Sequence, residues 1–284
     1  MRAIRTRLGI RALALVCVVI GICVATACVF VALKSVKSDH AGEPLTTDGL
    51  IQIEKDVVAA RQRIKSGHVI LSLKDIGRIT SRKKEYEIFF DGDKSRANLR
   101  IAGKLQSQVI CTGDEIIRVI GQHEPEVFAL GSHTTSFMEI PDPRRLGLVN
   151  WCFESINQFG YASYIGRTDR VDVQVDPAIR NGESVWLVTY KPKNGKATIE
   201  YWLSRDKGNL PIFIAVKSVN DPPQIQSIDV ELSKWADGEI WFPKQVRFRD
   251  VHGERVDSEE TVTIENAEFG RAIDDATFKS VSAR

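Results

Sequence analysis

At 284 residues the chain can hold one large or two small domains, and 43% hydrophobic with 27% charged residues excludes a wholly disordered protein. The net charge of +2 is unevenly spread: residues 1–37 carry six basic groups (Arg2, Arg5, Arg7, Arg11, Lys34, Lys37) and no acidic one, which leaves 33 Lys+Arg against 37 Asp+Glu in the body. A slightly acidic body excludes nucleic acid as the main partner, because phosphate binding needs a concentrated basic surface.

Residues 12–33, "ALALVCVVIGICVATACVFVAL", hold no formal charge. As a helix rising about 1.5 Å per residue, the segment matches the hydrocarbon core of a bilayer. Basic residues dominate its N-terminal flank, which predicts a cytoplasmic N-terminus, a single-pass anchor in the inner membrane and a periplasmic or otherwise extracytoplasmic body. Two alternatives stay open: cleavage as a signal sequence after Ala25-Thr26-Ala27, or lipidation of Cys28. Cys17, Cys23 and Cys28 fall in this segment and behave there as small apolar residues. Of the body cysteines, Cys111 and Cys152 could pair as a disulfide in an oxidising compartment or stand as two buried free thiols.

The expected organisation is an anchor or signal sequence over residues 1–33, a polar tether over 34–48 and an exported domain over 49–284. A helix is predicted after Thr47 or Asp48, with Ile51, Val57, Val58 and Ile64 on one side and Gly67 as its C-cap. The pattern then changes to period two. "KEYEIFF-DGDK-SRANLRI" reads as a hairpin around Asp91-Gly92, with Phe90 opposite Ser95, Ile88 opposite Ala97 and Tyr86 opposite Leu99. "LQSQVIC-TGD-EIIRVIG" repeats the device. A helix is predicted over "RRLGLVNWCFESINQF", carrying Leu146, Val149, Cys152, Phe153 and Ile156 on one stripe. Five further strands follow. A last hairpin, "WFPKQVRFRD-VHG-ERVDSEETVTI", is predicted with a three-residue loop ending at Gly253, setting Phe248 against Val256 and Phe242 against Val262. That register would pair Lys244 with Glu260 and Arg247 with Asp257. Many short strands with one or two helices indicate an α+β antiparallel domain.

No pattern carries chemistry of its own. His123-Glu124 is followed by Pro125, which breaks the helix a zinc-protease motif requires. Asp91 to Ser95 resembles the start of a calcium loop, but Arg96 and Ala102 stand where the turn glycine and closing glutamate belong. A hydrolase would need some of His68, His123, His133, Asp142 and the serines to converge in one cleft. No phosphate-binding loop or dinucleotide fingerprint occurs, so no cofactor is expected and no enzyme activity is predicted.

"IEYWLSRDKGNLPIFIAV" (199–216) and "SIDVELSKWADGEIWFPKQVRFRDVHGERVDSEETVTIENAEFGRAIDDATF" (227–278) resemble the bacterial LolA/LolB-like lipoprotein carriers and their outer-membrane lipoprotein-sorting relatives. The shared features are Arg205-Asp206-Lys207-Gly208 with Leu210-Pro211, Gly238 with Phe242-Pro243, and Asp274-Asp275 with Phe278. The resemblance implies a curved antiparallel sheet, an unclosed half-barrel, with helices over its concave face. It also implies a non-catalytic cavity for a lipid or lipoprotein acyl moiety, for which the candidate lining is Ile88, Phe90, Trp202, Trp241, Phe242 and Phe248. The expected partners are the membrane through the N-terminal helix, a lipid or lipoprotein cargo, or an envelope protein. The alternative function is an envelope sensor or interaction domain of the same fold without lipid cargo.

Overall fold

The computed structural model describes residues 47–76, 83–129, 142–148, 171–193, 195–219, 221–236 and 239–279. The apolar segment 12–33 and the tether up to residue 46 lie outside the described residues. Among the described residues no helix is long and apolar enough to cross a membrane.

Helix α1 (Thr47–Gln62) opens the domain, with Asp48 in its first turn, where an acidic group meets the positive end of the helix dipole. Among the described residues thirteen strands follow: β1 (Ser66–Ile76), β2 (Lys84–Asp91), β3 (Lys94–Ile101), β4 (Lys104–Cys111), β5 (Glu115–Ile120), β6 (Glu126–Ala129), β7 (Val171–Arg180), β8 (Glu183–Pro192), β9 (Ala197–Ser204), β10 (Leu210–Ser218), β11 (Gln224–Trp235), β12 (Ile240–His252) and β13 (Arg255–Phe269). They form one antiparallel sheet in the order β6-β5-β4-β3-β2-β1-β13-β12-β11-β10-β9-β8-β7. Two meanders are joined where β1 pairs with β13. The outermost strands, β6 and β7, are consecutive among the described strands yet lie at opposite ends of the sheet, which is curved and unclosed.

Register shifts at Ile70/Leu71, Leu99/Arg100, Pro211/Phe213, Glu231/Leu232 and Asp250/Val251 interrupt the ladders. An extra residue in one strand bends it and raises the local twist, which is how a wide sheet acquires curvature. The core lies on one face of this sheet. Val69 and Leu71 of β1, Ile88 and Phe90 of β2, Tyr190 of β8, Ile199 and Tyr201 of β9, Phe242 and Val246 of β12 and Val262 of β13 cluster with Leu50, Ile53 and Val57 of α1.

The β2–β3 hairpin pairs Phe90 with Ser95, Ile88 with Ala97 and Tyr86 with Leu99, as its sequence predicts. The β12–β13 hairpin departs from expectation. Phe248 lies opposite Glu260, Val246 opposite Val262, and His252 opposite Arg255. At the turn β12 continues to His252 and β13 starts at Arg255, because Gly253 (φ 61°) supports a tighter turn and the shift at Asp250/Val251 absorbs the parity change. Lys244 consequently bonds Glu231 at 3.1 Å, and Arg249 meets Glu259 at 3.1 Å.

Gly67 is not a helix cap. It sits in β1 opposite Phe90 and Phe269, and a Cβ there would come within 2.7 Å of the Glu268 carbonyl oxygen and 2.8 Å of Phe90 Cζ. Of the helix expected near residues 144–159, the described part is a 3-10 turn, Pro143–Arg145, capped by Asp142. The family-like motifs become turns. Arg205–Lys207 forms a 3-10 turn ended by Gly208. In a second turn, Asp275–Phe278, Asp274 Oδ1 accepts the Ala276 N–H at 2.9 Å, and Phe278 is buried.

Candidate functional site: the face under α1

The buried stripe of α1 is Leu50, Ile53, Glu54, Val57 and Arg61, at the 3–4 spacing that puts residues on one side of a helix. Two of the five are ionisable. Their signal was present in the sequence, because charged residues at these positions interrupt an apolar stripe. They are missed when only apolar positions are followed.

Tyr190 on β8 donates from its hydroxyl to Glu54 Oε1 at 2.9 Å, and Tyr201 on β9 meets the Tyr190 ring edge-on at 5.8 Å. Burial pushes the Glu54 carboxyl up to about 8, and the Tyr190 hydrogen bond opposes that shift only in part. Glu54 is therefore a protonated, neutral acid at neutral pH.

Arg61 is 2% exposed. Its guanidinium carbon lies 4.6 Å from the centre of the Phe242 ring on β12, and its Nε and Nη1 have no hydrogen-bond partner. Burial pushes Arg61 down to about 9, which still leaves it charged at neutral pH. A buried unmet donor costs about 1–3 kcal/mol, and a desolvated cation–π contact recovers roughly 2 kcal/mol. Glu54 cannot neutralise Arg61, since seven residues of helix separate them by about 10 Å along the axis and Glu54 keeps its proton.

The Phe242 ring beneath Arg61 has aromatic neighbours of its own. Phe242 meets Phe269 edge-on at 4.9 Å, and Phe269 and Phe90 both crowd Gly67. Arg144 lies over Phe90 at 5.2 Å and bonds Asp142, which Arg145 also approaches at 3.4 Å. The segment 142–148 reaches the same face, with Gly147 against Val230 and Pro243.

Of the residues expected to line a cavity, Ile88, Phe90 and Phe242 are buried in the core under α1, while Phe248 and Trp241 are half-buried against it. Lys207 and Lys234 stand over the Trp241 ring at 5.7 and 5.3 Å. Trp202 lies on the other side of the sheet. Its neighbour Tyr201 faces the core, and Trp202 shares Arg180 with Phe213, the guanidinium being 5.1 Å and 3.7 Å from the two rings. Cys111 is buried at the end of β4, and Cys152 lies outside the described residues. His68 stacks on Phe89 at 4.2 Å and approaches Glu87 at 3.5 Å, His123 is exposed after β5, and His133 lies outside the described residues. Among the described residues no group of three or more His, Cys, Asp or Glu could hold a metal ion.

No family model and no curated protein matches the chain. Solved structures do. An outer membrane lipoprotein-sorting protein domain from Vibrio parahaemolyticus is 10% identical, with a TM-score of 0.50 over 82% of this chain and 97% of that one. A DUF1329 family protein from Desulfovibrio piger is 14% identical, covering 81% and 97% at a TM-score of 0.45. The Mycobacterium tuberculosis lipoprotein LppX is 9% identical, covering 81% and 99% at 0.32. The chain shares the fold of the lipoprotein-sorting domain, and the resemblance read from its sequence holds at the level of fold.

Proposed function

We propose that this domain binds a lipid or lipoprotein acyl chain along the concave face beside α1, without catalysis. The carrying observation is the curved, unclosed sheet whose inner face presents half-buried apolar side chains, among them Tyr86, Val175, Val216, Trp235, Ile240 and Phe248, around one helix. The likeness of fold to a lipoprotein-sorting domain supports the reading. In the same proposal residues 12–33 anchor the chain in the inner membrane and the domain works outside the cytoplasm. The uncharged length of that segment and its basic N-terminal flank support this.

Binding by apolar burial scales with chain length. Each buried methylene contributes about 0.8 kcal/mol, or up to about fourfold in affinity. Full-length protein in non-ionic detergent, titrated with n-alcohols of ten to sixteen carbons and read by native mass spectrometry, should show affinity rising steadily along the series. A flat series, or no retained alcohol, would refute acyl binding.

A further inference from the structure

We propose that Arg61 is the receptor for an anionic headgroup, so that the ligand is an amphiphile with a carboxylate or phosphate at one end of its acyl chain. This rests on the acyl-binding reading above and specifies which class of lipid the face takes.

The inference starts from an imbalance. Arg61 belongs to the inner stripe of α1, is 2% exposed, and leaves Nε and Nη1 without partners. A guanidinium withdrawn from water keeps its donors only where an acceptor is supplied, and no carboxylate among the described residues bonds it. Glu54, the other buried ionisable group of α1, is engaged by Tyr190 and holds its proton at neutral pH, so it offers no opposing charge.

The surroundings favour an anion as well. Arg144 and Arg145 both meet the Asp142 carboxylate, and Arg144 lies over Phe90, whose ring crowds Gly67 as Phe269 does. Phe269 in turn packs on Phe242, the ring beneath Arg61. The rings of Phe90, Phe269 and Phe242 therefore lie between Arg144 and Arg61. Such an arrangement suits the junction of an acyl chain and an acidic head, the chain on the rings and the oxygens on the guanidinium.

The test compares three ligands of equal chain length on the full-length protein by native mass spectrometry at neutral pH: palmitate, hexadecyl phosphate and hexadecanol. Palmitate or hexadecyl phosphate should bind at least tenfold tighter than hexadecanol. Arg61→Gln should bring all three to the hexadecanol level, and Arg61→Lys should restore part of the preference. Tighter binding of hexadecyl phosphate than of palmitate assigns the site to a phosphate-bearing lipid, and the reverse order to a fatty acid. If Arg61→Gln does not fold, the wild-type ratio still decides, because equal binding of all three overturns the headgroup role. Retained hexadecanol with no anionic preference sinks this inference alone, whereas loss of all three sinks acyl binding itself.

Discussion

Replacing Glu54 by glutamine isolates the proton that the folded domain is inferred to hold. Burial pushes the carboxyl up to about 8 in the folded chain, against 4.5 for the ordinary group. Between those values the folded state keeps a proton that the unfolded state has released, so folding stability falls as pH rises. The slope is about 1.4 kcal/mol per pH unit, which amounts to about 5 kcal/mol across the window and about 3 kcal/mol by pH 7. Below 4.5 both states are protonated and the loss vanishes. Above about 8 both are ionised and the loss is complete. Glutamine keeps an oxygen for the Tyr190 hydroxyl but has nothing to ionise, so its stability escapes this dependence. Urea unfolding of wild type and Glu54→Gln should therefore give a stability difference that grows in favour of the variant from pH 5 to 8 and then levels off. Taking the difference cancels titrations common to both proteins, and the Arg61 shift acts above about 9, outside the window. A constant difference between pH 5 and 8 would show that Glu54 is ionised in the folded chain, and the burial argument would fail.

Tyr190→Phe removes the hydrogen bond that holds the Glu54 carboxyl down, so the plateau should move to higher pH while stability drops by about 0.5–1.5 kcal/mol; an unmoved plateau would separate the two residues. Gly67→Ala should destabilise the domain by about 1–3 kcal/mol in urea unfolding, because its Cβ meets the Glu268 backbone and the Phe90 ring. A neutral outcome would mean that β1 and β13 can separate at that point.

Much of the architecture is legible in local pattern. Alternation marks the strands, and Asp91-Gly92 fixes both the turn and the register of β2 and β3, since a two-residue turn leaves no freedom in the pairing. The last hairpin shows the limit. Its even-numbered apolar face was readable, but its register depends on a shift at Asp250/Val251 that no residue type announces. Gly67 shows another. A glycine after a helical run looks like a cap, and only the Phe90 and Phe269 rings crossing it reveal a need for space.

The sequence by itself determined that an antiparallel, strand-rich body follows a long uncharged apolar segment, because charge, hydropathy and period two are properties of neighbouring residues. It could not say which face of a strand is inner when both are apolar. In "IEYWLS" Tyr201 and Trp202 are equally plausible, and it is the packing of one sheet face into a core with α1 that buries Tyr201 and leaves Trp202 beneath Arg180 on the other face. The tertiary structure likewise decided the chemistry of Glu54 and Arg61. On an isolated helix both would be solvated and ordinary; the strands closing over them remove water, neutralise the acid and leave the arginine charged with donors unmet.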